Sequence, residues 1–230
     1  RSNYLFGSPA ADLKYDTEVQ VTQRRISFPK YENFEFNNSY TSFSPYNRTI
    51  ASGRLDSNGM ADISWVIPQF EQASSALRAN FVTNVYEKGG RPNTSRMSVP
   101  IDNFENYVGI QKPSYSYHYV TTNEESSFQV ICVNGEGKPV SGKKILYRIY
   151  QNNSHWWYHY SNRREYQSRY KTDNNTTLVK EGSLSSASGA VNLKFNPRED
   201  GDYMIEIQEG GYNGHMVTQF VYAYAWGSVP

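Results

Sequence analysis

Polar and apolar residues alternate with a period of two along most of the chain, and no segment carries a convincing helical stripe. Residues 16–23 (DTEVQVTQ), 79–86 (ANFVTNVY), 128–133 (FQVICV) and 144–150 (KILYRIY) each predict a strand with one face buried. Gly- and Asn-rich punctuation separates the runs at 57–59, 88–90, 134–137, 141–142 and 210–214. Strands every ten or so residues between such turns predict antiparallel β-sandwiches. Residues 70–76 are the one helical suspect, of a single turn at most.

A skeleton of about fifty residues occurs twice. Gly53-Arg54-Leu55 leads through Asp56-Ser57-Asn58-Gly59 to the alternating run 60–66 and Pro68. Gly182-Ser183-Leu184 leads through Ser185-Ser186-Ala187-Ser188-Gly189 to 190–195 and Pro197. Each copy continues with a strand, a Gly-Gly turn (Gly89-Gly90, Gly210-Gly211) and a last strand. The fold class expected is therefore all-β, with two tandem sandwiches at 1–105 and 106–230. Alternation predicts that Ile63, Trp65, Phe81, Val82 and Val85 fill the first core. Val130, Cys132, Ile145, Ile149, Leu193 and Phe195 fill the second.

At 230 residues the chain has room for two domains. A net charge of +1 supplies no field to steer it to nucleic acid or an anionic membrane. No apolar run approaches the ~20 residues that span a bilayer. The opening Arg1-Ser2-Asn3 is not a signal peptide, so both ends are expected to be cuts from a longer protein. The single Cys132 lies in an alternating run and reads as a small buried hydrophobe; one cysteine allows no internal disulfide.

The copies differ by an insertion at about 151–181, where a hairpin needs only two to five loop residues. It holds Trp156, Trp157 and Tyr158, followed by Arg163, Arg164, Arg169 and Lys171. Three readings stand: aromatics packing a long hairpin onto its own module, an exposed recognition surface for protein or sugar, or a protease-sensitive loop. His155 and His159 have a helical metal-ligand spacing, but on a strand their rings stand roughly 13 Å apart, and no Cys or carboxylate completes a site. No nucleophile elbow or P-loop is present. Asp56, Glu87, Asp200 and Asp202 read as turn and strand-end carboxylates. No catalytic, cofactor or metal site is expected, and the chain is not expected to be an enzyme.

Taken in order, several segments resemble the macroglobulin-like modules of bacterial alpha-2-macroglobulins. In the first half they are 4–13 (YLFGSPAADL), 28–36 (FPKYENFEF), 55–59 (LDSNG) and 85–92 (VYEKGGRP) leading to Ser98-Val99-Pro100. In the second they are Tyr107-Val108-Gly109-Ile110, 134–142 (NGEGKPVSG), the Trp156-Trp157 pair, Gly201-Asp202-Tyr203 and Trp226-Gly227. The resemblance implies two fibronectin III-like sandwiches from the middle of a protease-trapping endopeptidase inhibitor. It implies a periplasmic or cell-envelope setting, with neighbouring domains of the parent chain and target proteases as partners. Val133-Asn134-Gly135, not Gly-Glu-Gln, follows Cys132, so a thioester, where the parent has one, is expected outside this chain. Whether the Trp156–Lys171 surface serves as bait stays open. The rival readings are a carbohydrate-binding module and an adhesin-type surface array.

Overall fold

The computed structural model describes residues 1–39, 43–68, 70, 76–113, 119–152, 176–210 and 214–225. Twelve strands and one short 3-10 helix, Pro29–Tyr31, make up its regular structure. Most of the helical suspect at 70–76 lies outside the described residues. The chain divides into two compact units, one of Arg1–Arg24 with Phe43–Ile101, the other of Arg25–Ser42 with Asp102–Pro230.

The second unit is a two-layer sandwich. One sheet has the order β10 (Val191–Phe195), β7 (Ser126–Asn134), β5 (Asn106–Gln111). The other runs β6 (Val120–Thr121), β12 (Met216–Tyr224), β11 (Gly201–Glu209), β8 (Lys144–Asn152), β9 (Thr176–Ser185). All pairings are antiparallel except the two-residue contact of β6 with β12. Inward residues of both layers meet in one core: Val108, Ile110, Phe128, Val130, Cys132, Leu193 and Phe195 against Ile145, Ile149, Tyr203, Ile205, Ile207 and Val221. Each large side chain sealed there contributes roughly 1.5–3 kcal/mol. All six residues that alternation assigned to this core are buried. The Tyr203 hydroxyl donates to the Glu199 carbonyl at 2.8 Å, tying the start of β11 to the residues just before it, as in the tyrosine corner of immunoglobulin-type sandwiches.

The first unit holds a four-stranded sheet of order β2 (Tyr46–Arg54), β1 (Lys14–Gln23), β3 (Leu77–Tyr86), β4 (Pro92–Ile101). In sequence order this is the connectivity of β9-β8-β11-β12, so the duplication read from the sequence is a duplication of fold. Even the bulge recurs, at Thr17/Glu18 in β1 and Ile149/Tyr150 in β8, each against the edge strand. The copies align differently than their Gly-x-Leu motifs suggest. Leu55 exchanges backbone bonds with Asp12 and Leu13 just as Ser186 does with Gly142 and Lys143. Leu55 is thus equivalent to Ser186, two residues beyond Leu184.

Residues 60–66, expected as a strand, form no strand and join no sheet among the described residues. Trp65 still turns inward, stacked 6.5 Å from Tyr46 and edge-on to Phe81 at 5.8 Å. Ile63 does not: it is 38% exposed, because no neighbouring strand covers it. Phe81, Val82 and Val85 are half-buried. The sealed apolar residues of this unit instead form two clusters, one of Val19, Val21, Leu77, Ala79 and Ile101 and one of Ala10, Leu13 and Leu55.

The segment Arg25–Ser42, which follows β1, is built into the second unit. Glu35 and Ile110 exchange backbone bonds of 2.8 and 3.0 Å, capping the free edge of β5. The Asn37 side chain bonds both the N–H and the carbonyl of Ile26. Phe28 and Phe36 pack edge to face at 4.8 Å, and Phe28 lies 5.8 Å from Tyr107.

Candidate functional site

The residues proposed from the sequence as a recognition or bait surface, Trp156, Trp157, Tyr158, Arg163, Arg164, Arg169 and Lys171, lie outside the described residues, as do His155 and His159. What the structure describes is the base that carries them. β8 and β9 form an antiparallel hairpin whose outermost pair is Asn152↔Thr176, so the insertion leaves the sheet between two paired strands.

That base is firmly held. Arg148 Nη1 donates to Glu206 Oε1 at 2.9 Å across β8 and β11, and this bond raises the guanidinium pKa. Gln151 Nε2 donates to Glu199 Oε2 at 3.1 Å. Lys180 Nζ donates to the Lys194 carbonyl at 2.6 Å and sits 6.0 Å over the Tyr147 ring. Burial raises the pKa of the Asp202 carboxyl, and burial followed by the nearby Glu206 raises that of the Tyr150 phenol. Together these contacts fasten β8 to β11 and β9 to β10 at the root of the insertion.

Cys132 is sealed in the core, where burial first and then the Glu209 charge push its thiol up to about 11. It is a packing residue with no thiolate to offer at neutral pH. Among the described residues, no group of three or more His, Cys, Asp or Glu could hold a metal ion. No helix among them is long and apolar enough to cross a membrane.

Sequence reasoning missed two features. The first is the aromatic shell around His215, a fully buried imidazole whose Nδ1 accepts from the Val108 N–H at 3.0 Å. Phe104 and Tyr107 pack edge-on to it at 5.2 and 5.1 Å. Burial lowers its pKa to about 3, the Phe36 backbone opposing. The second is a cleft of about 380 Å³ on the first unit, lined by apolar residues that include Ile63, Trp65, Phe81 and Val99.

Two family descriptions match this architecture in tandem. Residues 1–102 match the Bacterial Alpha-2-macroglobulin MG5 domain, and residues 109–226 match Bacterial macroglobulin domain 6. The chain belongs to the bacterial alpha-2-macroglobulin family. Among solved structures, native E. coli alpha-2-macroglobulin superposes with a TM-score of 0.62 at 20% identity over 96% of this chain. The trypsin-activated E. coli protein gives 0.63 at 21% over 98%. Salmonella alpha-2-macroglobulin reacted with methylamine gives 0.59 at 20% over 96%. The chain spans only 14–15% of the length of these relatives. No curated protein sequence matches it.

Proposed function

We propose that this chain is a non-catalytic, load-carrying part of an extracytoplasmic protease-trapping inhibitor of the alpha-2-macroglobulin family. Its two units act as rigid spacers between neighbouring domains of a longer protein, and proteases are partners of that whole protein. The observation that carries this reading is the unbroken succession of the two macroglobulin matches along a duplicated β-sheet fold. The sealed core and cross-braced hairpin base of the second unit suit a part that transmits force and does no chemistry. The insertion, held at the end of β8 and β9, presents Trp156, Trp157, Tyr158 and the basic residues 163–171 as an interaction or bait surface.

The test uses the full-length parent protein mixed with trypsin. Enclosure of the protease predicts that digestion of a large protein substrate is suppressed while cleavage of a small chromogenic peptide persists. Equal rates on the large substrate with and without the parent protein would refute the inhibitor reading.

A further inference from the structure

One five-residue turn recurs along the chain, at Tyr4–Ser8, Asp56–Met60, Glu87–Arg91 and Asn134–Lys138. In each, the first N–H donates to the fifth carbonyl, at 2.9, 2.9, 3.0 and 2.9 Å, and the fourth N–H donates to the first carbonyl, at 2.8–3.0 Å. The fourth residue is a glycine at positive φ every time: Gly7 at +85°, Gly59 at +68°, Gly90 at +82° and Gly137 at +76°. This backbone puts the second and third residues at the tip, where water favours polar side chains or glycine.

Three of these tips follow that rule. Ser57-Asn58, Lys88-Gly89 and Gly135-Glu136 are all exposed. The first tip instead carries Leu5 and Phe6, 101% and 99% exposed, beside a Tyr4 that is 40% exposed. Its first position departs as well. Asp56 Oδ1 accepts from the Asn58 and Met60 N–H groups, and Asn134 Oδ1 from those of Glu136 and Lys138. Tyr4 has no carboxylate or amide with which to do this. A single exposed leucine is ordinary. An adjacent apolar pair, on a turn that its sister copies build without one, is not required by the turn.

The tip is also held in place. The Ser2 N–H donates to the Gly59 carbonyl at 2.8 Å and the Ala10 N–H to the Ser2 carbonyl at 3.1 Å, with Ala10 itself sealed. Little ordering is therefore lost when the pair docks.

The chemistry of the tip narrows the partner. Residues 2–10 carry no charge, so the tip has no cation for a phospholipid headgroup and no ion pair for a charged surface. The two side chains offer on the order of 300 Å², less than half of the ~800 Å² per partner that holds a free complex together. A contact that small persists where a covalent connection supplies a high effective concentration. The chain spans 14–15% of the length of its relatives, so most of such a protein lies in other domains.

We propose that Leu5 and Phe6 form a plug that seats in an apolar pocket on another domain of the same parent chain. The pocket takes an isobutyl group and a phenyl ring side by side and provides no counter-charge. The inference deepens the proposed function: it rests on this chain being one part of a longer protein, and not on the trapping of proteases.

Hydroxyl-radical footprinting, read residue by residue by mass spectrometry, compares the 230-residue chain with the full-length parent protein. Leu5 and Phe6 should be oxidised rapidly in the chain and at least roughly tenfold more slowly in the parent. The double substitution Leu5→Gly, Phe6→Glu, which copies the Gly135-Glu136 tip, should leave the melting temperature of the chain unchanged and lower that of the parent. Equal oxidation of the pair in chain and parent overturns the proposal, and leaves the inhibitor reading standing if that parent still shields a large substrate from trypsin. Protection already present in the dilute chain overturns it too, as does protection that grows with the chain's concentration and so reports a second copy. Protection of the parent that appears only with phosphatidylglycerol vesicles assigns the tip to lipid instead. An equal fall in melting temperature in chain and parent also refutes the plug, since it places the pair in the packing of its own unit.

Discussion

At Gly109 the fold has no room for a side chain. A β-carbon built there would stand 2.5 Å from Cε1 of Phe36, whose ring is itself buried against Phe28. The glycine is a notch in β5 that admits an aromatic from the segment Arg25–Ser42. Gly109→Ala should therefore cost about 1–3 kcal/mol by overpacking, read as a fall in the urea midpoint; an unchanged midpoint would mean that Phe36 is free to move. His215 makes a second residue-scale prediction. Its Nδ1 accepts from the Val108 N–H, so the ring carries its proton on Nε2 and is held neutral. A pKa lowered from 6.5 to about 3 means that the unfolded chain binds the extra proton more readily. Its contribution to stability is full above pH ~6.5 and declines as pH falls toward 3. His215→Asn, which keeps an acceptor near the same place, should flatten the loss of stability between pH 7 and pH 4. The comparison is of unfolding midpoints at those two values, and a parallel loss in both proteins would remove His215 from the acid response.

At the scale of elements, segment Arg25–Ser42 has little regular structure and depends on side chains to stay in place. Asn37 does most of the pinning, through both backbone groups of Ile26 and through its Nδ2 to Glu35 Oε1 at 2.6 Å. Asn37→Ala should speed hydrogen exchange at the Glu35 and Ile110 amides, which bond each other's carbonyls, while leaving β7 and β11 protected. Exchange rising uniformly across the second unit would show that the segment does not open on its own. The ordinary strands were readable because alternation is a local signal: β1, β3, β7 and β8 fall where period-two runs put them. The run 60–66 carries the same signal without pairing, since alternation reports which residues prefer an apolar side and not whether a neighbouring strand is present. For the same reason the six residues assigned to the second core are all buried there, whereas Ile63 of the first was misplaced. The packing of Phe28 and Phe36 against Tyr107 was not legible, because nothing periodic marks the segment. The one available hint was the pairing of its aromatics with Gly109 and Gly137, each too close to a ring to accept a β-carbon. The two-residue misalignment of the repeat arose because Leu55 and Leu184 are similar letters at inequivalent ladder positions. Of the candidate surface, β8 was legible as an alternating run, but residues 176–181, read as part of the insertion, belong to β9, and the roles of residues 156–171 follow from composition alone.

For the molecule as a whole, the consequence of an insertion between β8 and β9 depends on how the second sandwich is threaded. A cut within residues 153–175 leaves β5, β7 and β8 on one fragment and β9 to β12 on the other. These are not two separable halves. β8 lies between β9 and β11, and β10 is paired to β7, so both sheets of this sandwich contain strands from both fragments. The shared core further locks Phe128 and Val130 of one piece against Leu193, Ile205 and Ile207 of the other. If the insertion is an interaction or bait surface, brief digestion with trypsin should cut at Arg163, Arg164, Arg169 or Lys171, and elastase should cut in the same span. The nicked protein should then elute at its original volume on gel filtration and part into two fragments only in denaturant. A protein without stored strain would also keep its melting temperature within a few degrees, since only loop connectivity is lost. Cleavage spread across the described strands, or fragments that separate without denaturant, would contradict the interleaved threading. Resistance of the span to both proteases would assign Trp156, Trp157 and Tyr158 to packing on their own module, and the bait role to another part of the parent chain.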